Sequence, residues 1–136
     1  MIVDSLRLIV EHEVMPHPRL AHNKKALRIS RERITNKGIL RTIDYLANRD
    51  ALAWLFKAKA GTKRLPDKMR LRADISIWKK ELHIADLDNL IKTVFDALQT
   101  AGVIVNDKWI RQANVRIYDG VPKPSIAIRI ELIDSP

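Results

Sequence analysis

Cysteine and long apolar runs are both missing from the 136-residue chain. Without cysteine, neither disulfides nor thiolate metal sites can form, which fits a reducing compartment. No apolar run approaches the roughly 20 residues that a membrane-spanning helix needs, and Asp4 and Arg7 interrupt the N-terminal apolar stretch. We therefore expect a soluble, cytoplasmic protein.

Several functional motifs are missing as well. The sequence has no glycine-rich phosphate loop, no nucleophilic serine arrangement and no paired cysteine ligands, so kinase, hydrolase-triad and zinc-finger classes find no support. It also has no internal repeat, low-complexity tract or linker. A hydrophobic content of 46% in 136 residues suits one hydrophobic core. We predict a single domain over residues 1–136.

Acidic residues are too few to balance the basic ones. There are 16 Asp and Glu against 25 Lys and Arg, a formal charge of +9, which makes phosphate the first partner to consider and an anionic membrane surface the second. The densest basic region contains Arg19, Lys24, Lys25, Arg28, Arg31, Arg33, Lys37 and Arg41. Composition alone leaves two interpretations, a solvated face or mobile arm and a DNA phosphate track.

Hydrophobic periodicity gives a coarse map of the fold. Alternation at Leu6, Leu8 and Val10 predicts a first strand, and helical spacing follows from residue 39 to 60, where Asn48 and Asp50 allow a division into two helices. Further elements are predicted as a strand over 69–78, a helix over 87–100, a brief strand around 113–117 and a strand over 125–132. This order, β-α-β-α-β-β, predicts an α+β fold with a mixed four-stranded sheet and helices packed on one face.

The most informative segment runs from Asp86 to Asp107. Asp86 is placed to cap the helix over 87–100, and Gly102 to end it. Residues 103–105 are β-branched and predict an extended piece that returns along the helix. The helix from Asp88 to Thr100 covers roughly 18 Å. The extended segment to Asp107 covers roughly 16 Å, so the sequence predicts that Asp107 returns towards Asp86 and Asp88.

Three neighbouring carboxylates repel one another unless a cation or protons are present. Their hard oxygen atoms suit Mg²⁺, with Mn²⁺ as a substitute. An isolated Asp-x-Asp at a helix start usually serves only for capping and dipole compensation. Here Lys92 lies one turn after Asp88, and Asp107 adds a third carboxylate. This combination favours a metal site that acts on phosphate.

The motif over 86–107 resembles the signature of the RusA-type Holliday junction resolvases. The resemblance rests on Asp-Leu-Asp-Asn-Leu at 86–90, Lys92, Asp-Ala-Leu at 96–98, Gly102 and Asp107. It implies that Asp86, Asp88 and Asp107 bind the catalytic Mg²⁺ and that Lys92 is required for cleavage. It also implies a RusA-like fold and a homodimer that nicks four-way junction DNA symmetrically.

One residue and one short segment depart from that family pattern. Asn106 stands where the family tends to have a second acid, and residues 79–84 read Lys-Lys-Glu-Leu-His-Ile where the family often has several basic residues. Our predicted DNA-binding residues are Arg19, Lys24, Lys25, Arg28, Arg31, Lys79 and Lys80. Two alternatives to a junction resolvase remain. They are a metal-dependent nuclease with another branched-DNA or RNA preference, and a non-catalytic basic nucleic-acid-binding protein.

Overall fold

The computed structural model describes residues 1–16, 34–80 and 87–133, with side chains described over 1–16, 43–80 and 87–133. The strands are β1 (Ser5–Val10), β2 (Leu71–Trp78), β3 (Ile110–Tyr118) and β4 (Ser125–Leu132). The helices are α1 (Ile34–Ala60) and α2 (Leu87–Thr100), and a 3-10 turn spans Asp107–Trp109. In the described parts of the chain, no helix is long and apolar enough to cross a membrane.

The four strands form one mixed sheet in the order β1-β4-β2-β3. Strand β4 is antiparallel to both β1 and β2, whereas β2 and β3 are parallel. A parallel pair requires a crossover, and α2 lies in the connection between β2 and β3. The α+β fold, the mixed four-stranded sheet and the element order predicted from the sequence are confirmed.

One face of the sheet is apolar and forms the core with both helices. Alternate residues of β2 point into it, and so do Ile126, Ile128 and Ile130 of β4. Leu52 and Phe56 of α1 and the buried stripe of α2 cover this face. The strand period of two places mostly polar and charged side chains on the opposite face, which no described helix covers.

Helix α1 is unbroken through Asn48, where the sequence allowed a division. The Asn48 side chain does not cap a second helix. Its amide donates to the Glu13 carbonyl at 2.9 Å, and its oxygen accepts from the Met15 backbone at 3.2 Å. Asn48 therefore ties the segment after β1 to α1, and the helix continues to Ala60.

The predicted extended piece over 103–105 is wrong. Gly102, at φ 76°, ends α2 in the left-handed conformation that favours glycine. The backbone N–H of Gly102 donates to the Gln99 carbonyl at 3.0 Å, and that of Val103 donates to the Leu98 carbonyl at 3.1 Å. Val103 and Ile104 then enter the core at once, and their burial holds the segment in turns.

Candidate active site

The first turn of α2 presents a carboxylate and a lysine on one exposed side. The helix begins at Leu87, which places Asp88 in its first turn, and Lys92 follows four residues later. Residues four apart on a helix are surface neighbours, and both of these side chains are exposed. The helix N-terminus adds the positive end of the helix dipole, which favours an anion such as phosphate.

Lys92 keeps its ammonium available to solvent. Lys92 forms no ion pair or hydrogen bond with any described residue. By contrast, Lys79, which follows β2, is bonded to Glu13 and Val14 inside the fold. The position of Lys92 follows from the helical period, because Leu90, Val94 and Leu98 occupy the buried side of α2. A substrate phosphate at this helix terminus can therefore meet Lys92 without first breaking an internal contact.

Asp96 lies one turn beyond Lys92, a spacing that would allow an ion pair to orient the lysine. The two side chains do not form that pair. The Asp96 carboxylate instead accepts a hydrogen bond of 2.6 Å from the Tyr45 hydroxyl of α1. Burial, together with the bond to Asp96, raises the pKa of Tyr45. Asp96 thus joins the two helices.

Asp107 lies near the opposite end of α2. Its backbone N–H donates to the Gln99 side-chain oxygen at 2.5 Å, and the Asn106 side chain accepts from the Lys108 backbone at 2.9 Å. The side-chain oxygen of Asn106 is thus used inside its own turn. The Asp107 carboxylate is half-buried and begins the 3-10 turn that leads into β3.

The separation along α2 matters for the predicted metal site. From Asp88 to Gln99 the helix rises roughly 16 Å, so Asp107 lies closer to the end of α2 than to its start. Among the described residues, no three acidic or histidine side chains form a metal-binding group, and Asp86 lies outside those residues. The set of Asp86, Asp88 and Asp107 stays a prediction. Its donor atoms are carboxylate oxygens, which fit Mg²⁺.

The structure separates the two adjacent lysines that were predicted to contact DNA. Lys80 is exposed, but Lys79 is 8% exposed. The Lys79 ammonium donates to the Val14 carbonyl at 2.5 Å and pairs with Glu13 at 2.9 Å. Burial and these two partners direct its charge into the protein, so we leave Lys79 out of the proposed DNA contacts.

The segment that precedes the basic region is fixed beside α2. The Thr93 hydroxyl donates to the Met15 carbonyl at 2.6 Å, and Thr93 follows Lys92 directly. Nearby, the Asn48 side chain bonds His12 at 3.0 Å, and burial lowers the pKa of His12. The predicted DNA-binding residues Arg19, Lys24, Lys25, Arg28 and Arg31 lie outside the described residues.

Two tryptophans near the motif pack against other side chains. Trp78 stacks on Tyr118, with ring centroids 5.4 Å apart and planes 15° apart. Trp109 packs partly on the core, and Lys108 and Arg111 lie over its ring at 5.1 and 5.9 Å from the centroid. The pairing of Trp78 with Tyr118 could have been expected only from the strand register, because the two residues face each other across β2 and β3.

Comparison with known proteins gives one family. The family model described as "Endodeoxyribonuclease RusA" matches residues 15–131, which include both helices, three of the four strands and all four predicted catalytic residues. None of the curated proteins compared with the chain matches it. The family match thus covers far more of the chain than the motif over 86–107 from which the resemblance was first seen.

Proposed function

Because the chain belongs to the RusA endodeoxyribonuclease family, we propose that it is a metal-dependent nuclease that resolves Holliday junctions by paired hydrolysis of DNA phosphodiesters. The family implies an endonuclease that acts on branched junction DNA. The metal dependence and the paired incisions belong to our proposal, as do a cytoplasmic location and a role in recombination and repair.

The observation that carries the proposal is the exposed start of α2. Asp88 and Lys92 lie one turn apart on the same exposed side, at a helix terminus whose dipole attracts anions. Lys92 has no ion-pair or hydrogen-bond partner among the described residues, so its ammonium is available to a substrate phosphate.

We assign the metal to Asp86, Asp88 and Asp107, as the resemblance implies. Carboxylate oxygens are the ligands that Mg²⁺ prefers, and Mn²⁺ accepts the same ligands. When bound, the metal ion supplies Lewis-acid activation of the phosphate and of water. The structure describes two of these three residues, at different ends of α2, so the metal assignment depends on the family and on ligand chemistry.

Lys92 acts on the charge that hydrolysis creates. The attacking water oxygen forms a bond to phosphorus while the ester P–O bond breaks, and negative charge increases on the phosphate oxygens and the leaving oxygen. An exposed ammonium one turn from Asp88 stabilises that charge and donates a proton to the leaving oxygen. Its hydrogen-bonding capacity is not used inside the described protein.

The basic region after Pro16 supplies the DNA track. Met15, just before this region, is bonded to Thr93 of α2, the residue that follows Lys92. Its lysines and arginines would neutralise backbone phosphates without reading sequence. Two active sites in a homodimer would make paired incisions in a four-way junction, and the dimer is likewise part of the proposal.

The experiment is a cleavage assay on labelled four-way junction, flap and linear duplex DNA with Mg²⁺, Mn²⁺ or EDTA. The wild type should give paired nicks in the junction only when metal is present. Asp88→Asn should still bind the junction and lose cleavage. Equal cutting of all substrates would indicate a nuclease with another preference, and wild-type binding without any cutting would indicate a non-catalytic binding protein.

A further inference from the structure

The face of the sheet opposite the helices carries an excess of arginine. Its cations are Arg7, Arg72, Arg116 and Arg129, and its anions are Asp74 and Glu131. Glu131 forms ion pairs with two of the cations, Arg72 at 2.8 Å and Arg129 at 3.2 Å. Arg7 and Arg116 are exposed and have no side-chain partner among the described residues.

Two of these arginines are arranged against the usual rule for cross-strand pairs. Arg7 of β1 lies directly opposite Arg129 of β4. Like charges directly opposite each other destabilise a sheet. Proteins break local rules of this kind mainly at functional or strained sites. Arg129 is partly neutralised by Glu131 at 3.2 Å and also lies opposite Asp74 of β2, so Arg7 is the cation of this pair that a bound anion would neutralise.

A groove of about 430 Å³ crosses this face between the arginines. One row of residues crosses all four strands and consists of Ile9, Ala127, Ser76 and Arg116. The small side chains of Ala127 and Ser76 leave space at the centre of the groove. Ile9, which is 66% exposed, makes one end of the groove apolar. The next row ends in the stacked pair of Trp78 and Tyr118, of which Tyr118 is 42% exposed.

We propose that this uncovered face, which we call the arginine face, binds a single strand of nucleic acid. Arg7, Arg116 and Arg129 would contact backbone phosphates, and the exposed ring of Tyr118 would stack on an unpaired base. Basic side chains beside aromatic rings are the recurrent means of holding single strands, whose bases are free to stack. In a duplex the bases are already paired and stacked.

Electrostatics favours this occupant over a second copy of the chain. In a two-fold symmetric dimer the same surface meets itself. The arginine face carries four cations and two anions, so two copies of it would repel each other. The same positive charge attracts a polyanion. The inference depends on the proposed function only in that the substrate is branched DNA, where strands become unpaired at the branch.

Binding to labelled oligothymidylate, measured by fluorescence anisotropy in EDTA over a series of NaCl concentrations, tests this proposal without cleavage. Replacing Arg7 and Arg116 by Ala should weaken binding about tenfold. It should also reduce the slope of log affinity against log salt by roughly 0.7 for each lost contact. The matched control is Arg64→Ala with Arg70→Ala, two exposed arginines between α1 and β2. This control removes the same charge and should leave the slope unchanged.

A second variant separates binding from stability. Arg7→Glu places an acid opposite Arg129, so the melting temperature should rise while oligothymidylate binding falls. An equal loss of affinity in the control pair would overturn the proposal, because only net charge would then matter. If Arg7→Glu has a lower molecular mass than the wild type in sedimentation and binds oligothymidylate equally well, the arginine face is a surface for self-association. That result would also overturn the proposal. The oligothymidylate binding assay contains EDTA and needs no cleavage. Its result therefore remains valid even if the protein fails to cleave junctions.

Discussion

Two carboxylate–lysine combinations, one involving the lysine that follows β2 and one in the first turns of α2, have different surroundings. Glu13 and Lys79 form a 2.9 Å ion pair in which the lysine is also bonded to the Val14 carbonyl. Asp88 and Lys92 are both exposed on the first turns of α2. The same two types of side chain thus serve packing in one place and remain accessible in the other.

The difference lies in the backbone that surrounds each lysine. Lys79 follows the last residue of β2, and its backbone bonds Tyr118 and Val121, so its side chain lies beneath the segment that leaves β1. Lys92 lies on the side of α2 opposite the buried stripe. Accessibility therefore marks Lys92, and not Lys79, as the lysine available to substrate.

The sharpest test of this comparison is Lys92→Ala. Loss of a group that stabilises developing charge or transfers a proton should lower the junction cleavage rate about 10²- to 10⁴-fold. The melting temperature should stay the same, because Lys92 has no partner among the described residues. Single-turnover cleavage and thermal unfolding measure the two effects separately.

The control for Lys92→Ala is Lys59→Ala, which removes an exposed lysine from the last turn of α1. It should leave the cleavage rate unchanged. Lys92→Arg keeps the charge, so partial recovery would indicate electrostatic stabilisation, and none would indicate proton transfer. Equal rate losses in Lys92→Ala and Lys59→Ala would remove Lys92 from the mechanism.

The converse test is Lys79→Met, which should act on stability. It leaves the Val14 carbonyl without its donor and Glu13 without its cation. Because the Glu13 side chain is 40% exposed, water screens part of the loss, and we expect the free energy of unfolding to fall by about 1–2 kcal/mol. Chemical denaturation of the variant measures this change.

The exposed neighbour Lys80 provides the control for Lys79→Met. Lys80→Met should change the free energy of unfolding by less than about 0.5 kcal/mol, as surface substitutions usually do. A double-mutant cycle with Glu13→Gln should show coupling between residues 13 and 79. A Lys79→Met protein as stable as Lys80→Met would mean that the ion pair contributes nothing.

The sequence predicted α2 with its observed bounds, because the signals that define it are local. The apolar period places Leu90, Val94 and Leu98 on one side, and Gly102 supplies the left-handed residue that ends the helix. The exposed positions of Asp88 and Lys92 follow from that same period. This part of the candidate site could be derived from the sequence.

Contacts between distant residues were not predictable from the sequence. Lys79 meets Val14 across 65 positions, and Tyr45 meets Asp96 across 51, so no local period reports either pairing. Lys79 and Lys80 look alike in the sequence, and only the fold buries one of them. The turn over 101–105 was missed because β-branched residues favour strands, while core burial of Val103 and Ile104 decides their conformation.

A third test, Tyr45→Phe, asks whether Asp96 serves packing between the two helices. The change removes a 2.6 Å hydrogen bond to a carboxylate at a partly buried position, so the free energy of unfolding should fall by about 1–2 kcal/mol. The folded state raises the pKa of Tyr45, so its stabilising effect is complete below about pH 10 and is lost at higher pH. Denaturation curves measured at neutral pH and above about pH 10 should show that the difference in unfolding free energy between the wild type and Tyr45→Phe shrinks as pH rises. Tyr118→Phe, at an exposed tyrosine, should cost less than Tyr45→Phe at neutral pH. Equal losses of stability in the two tyrosine variants would mean that the hydrogen bond between Tyr45 and Asp96 contributes nothing to the packing of α1 on α2.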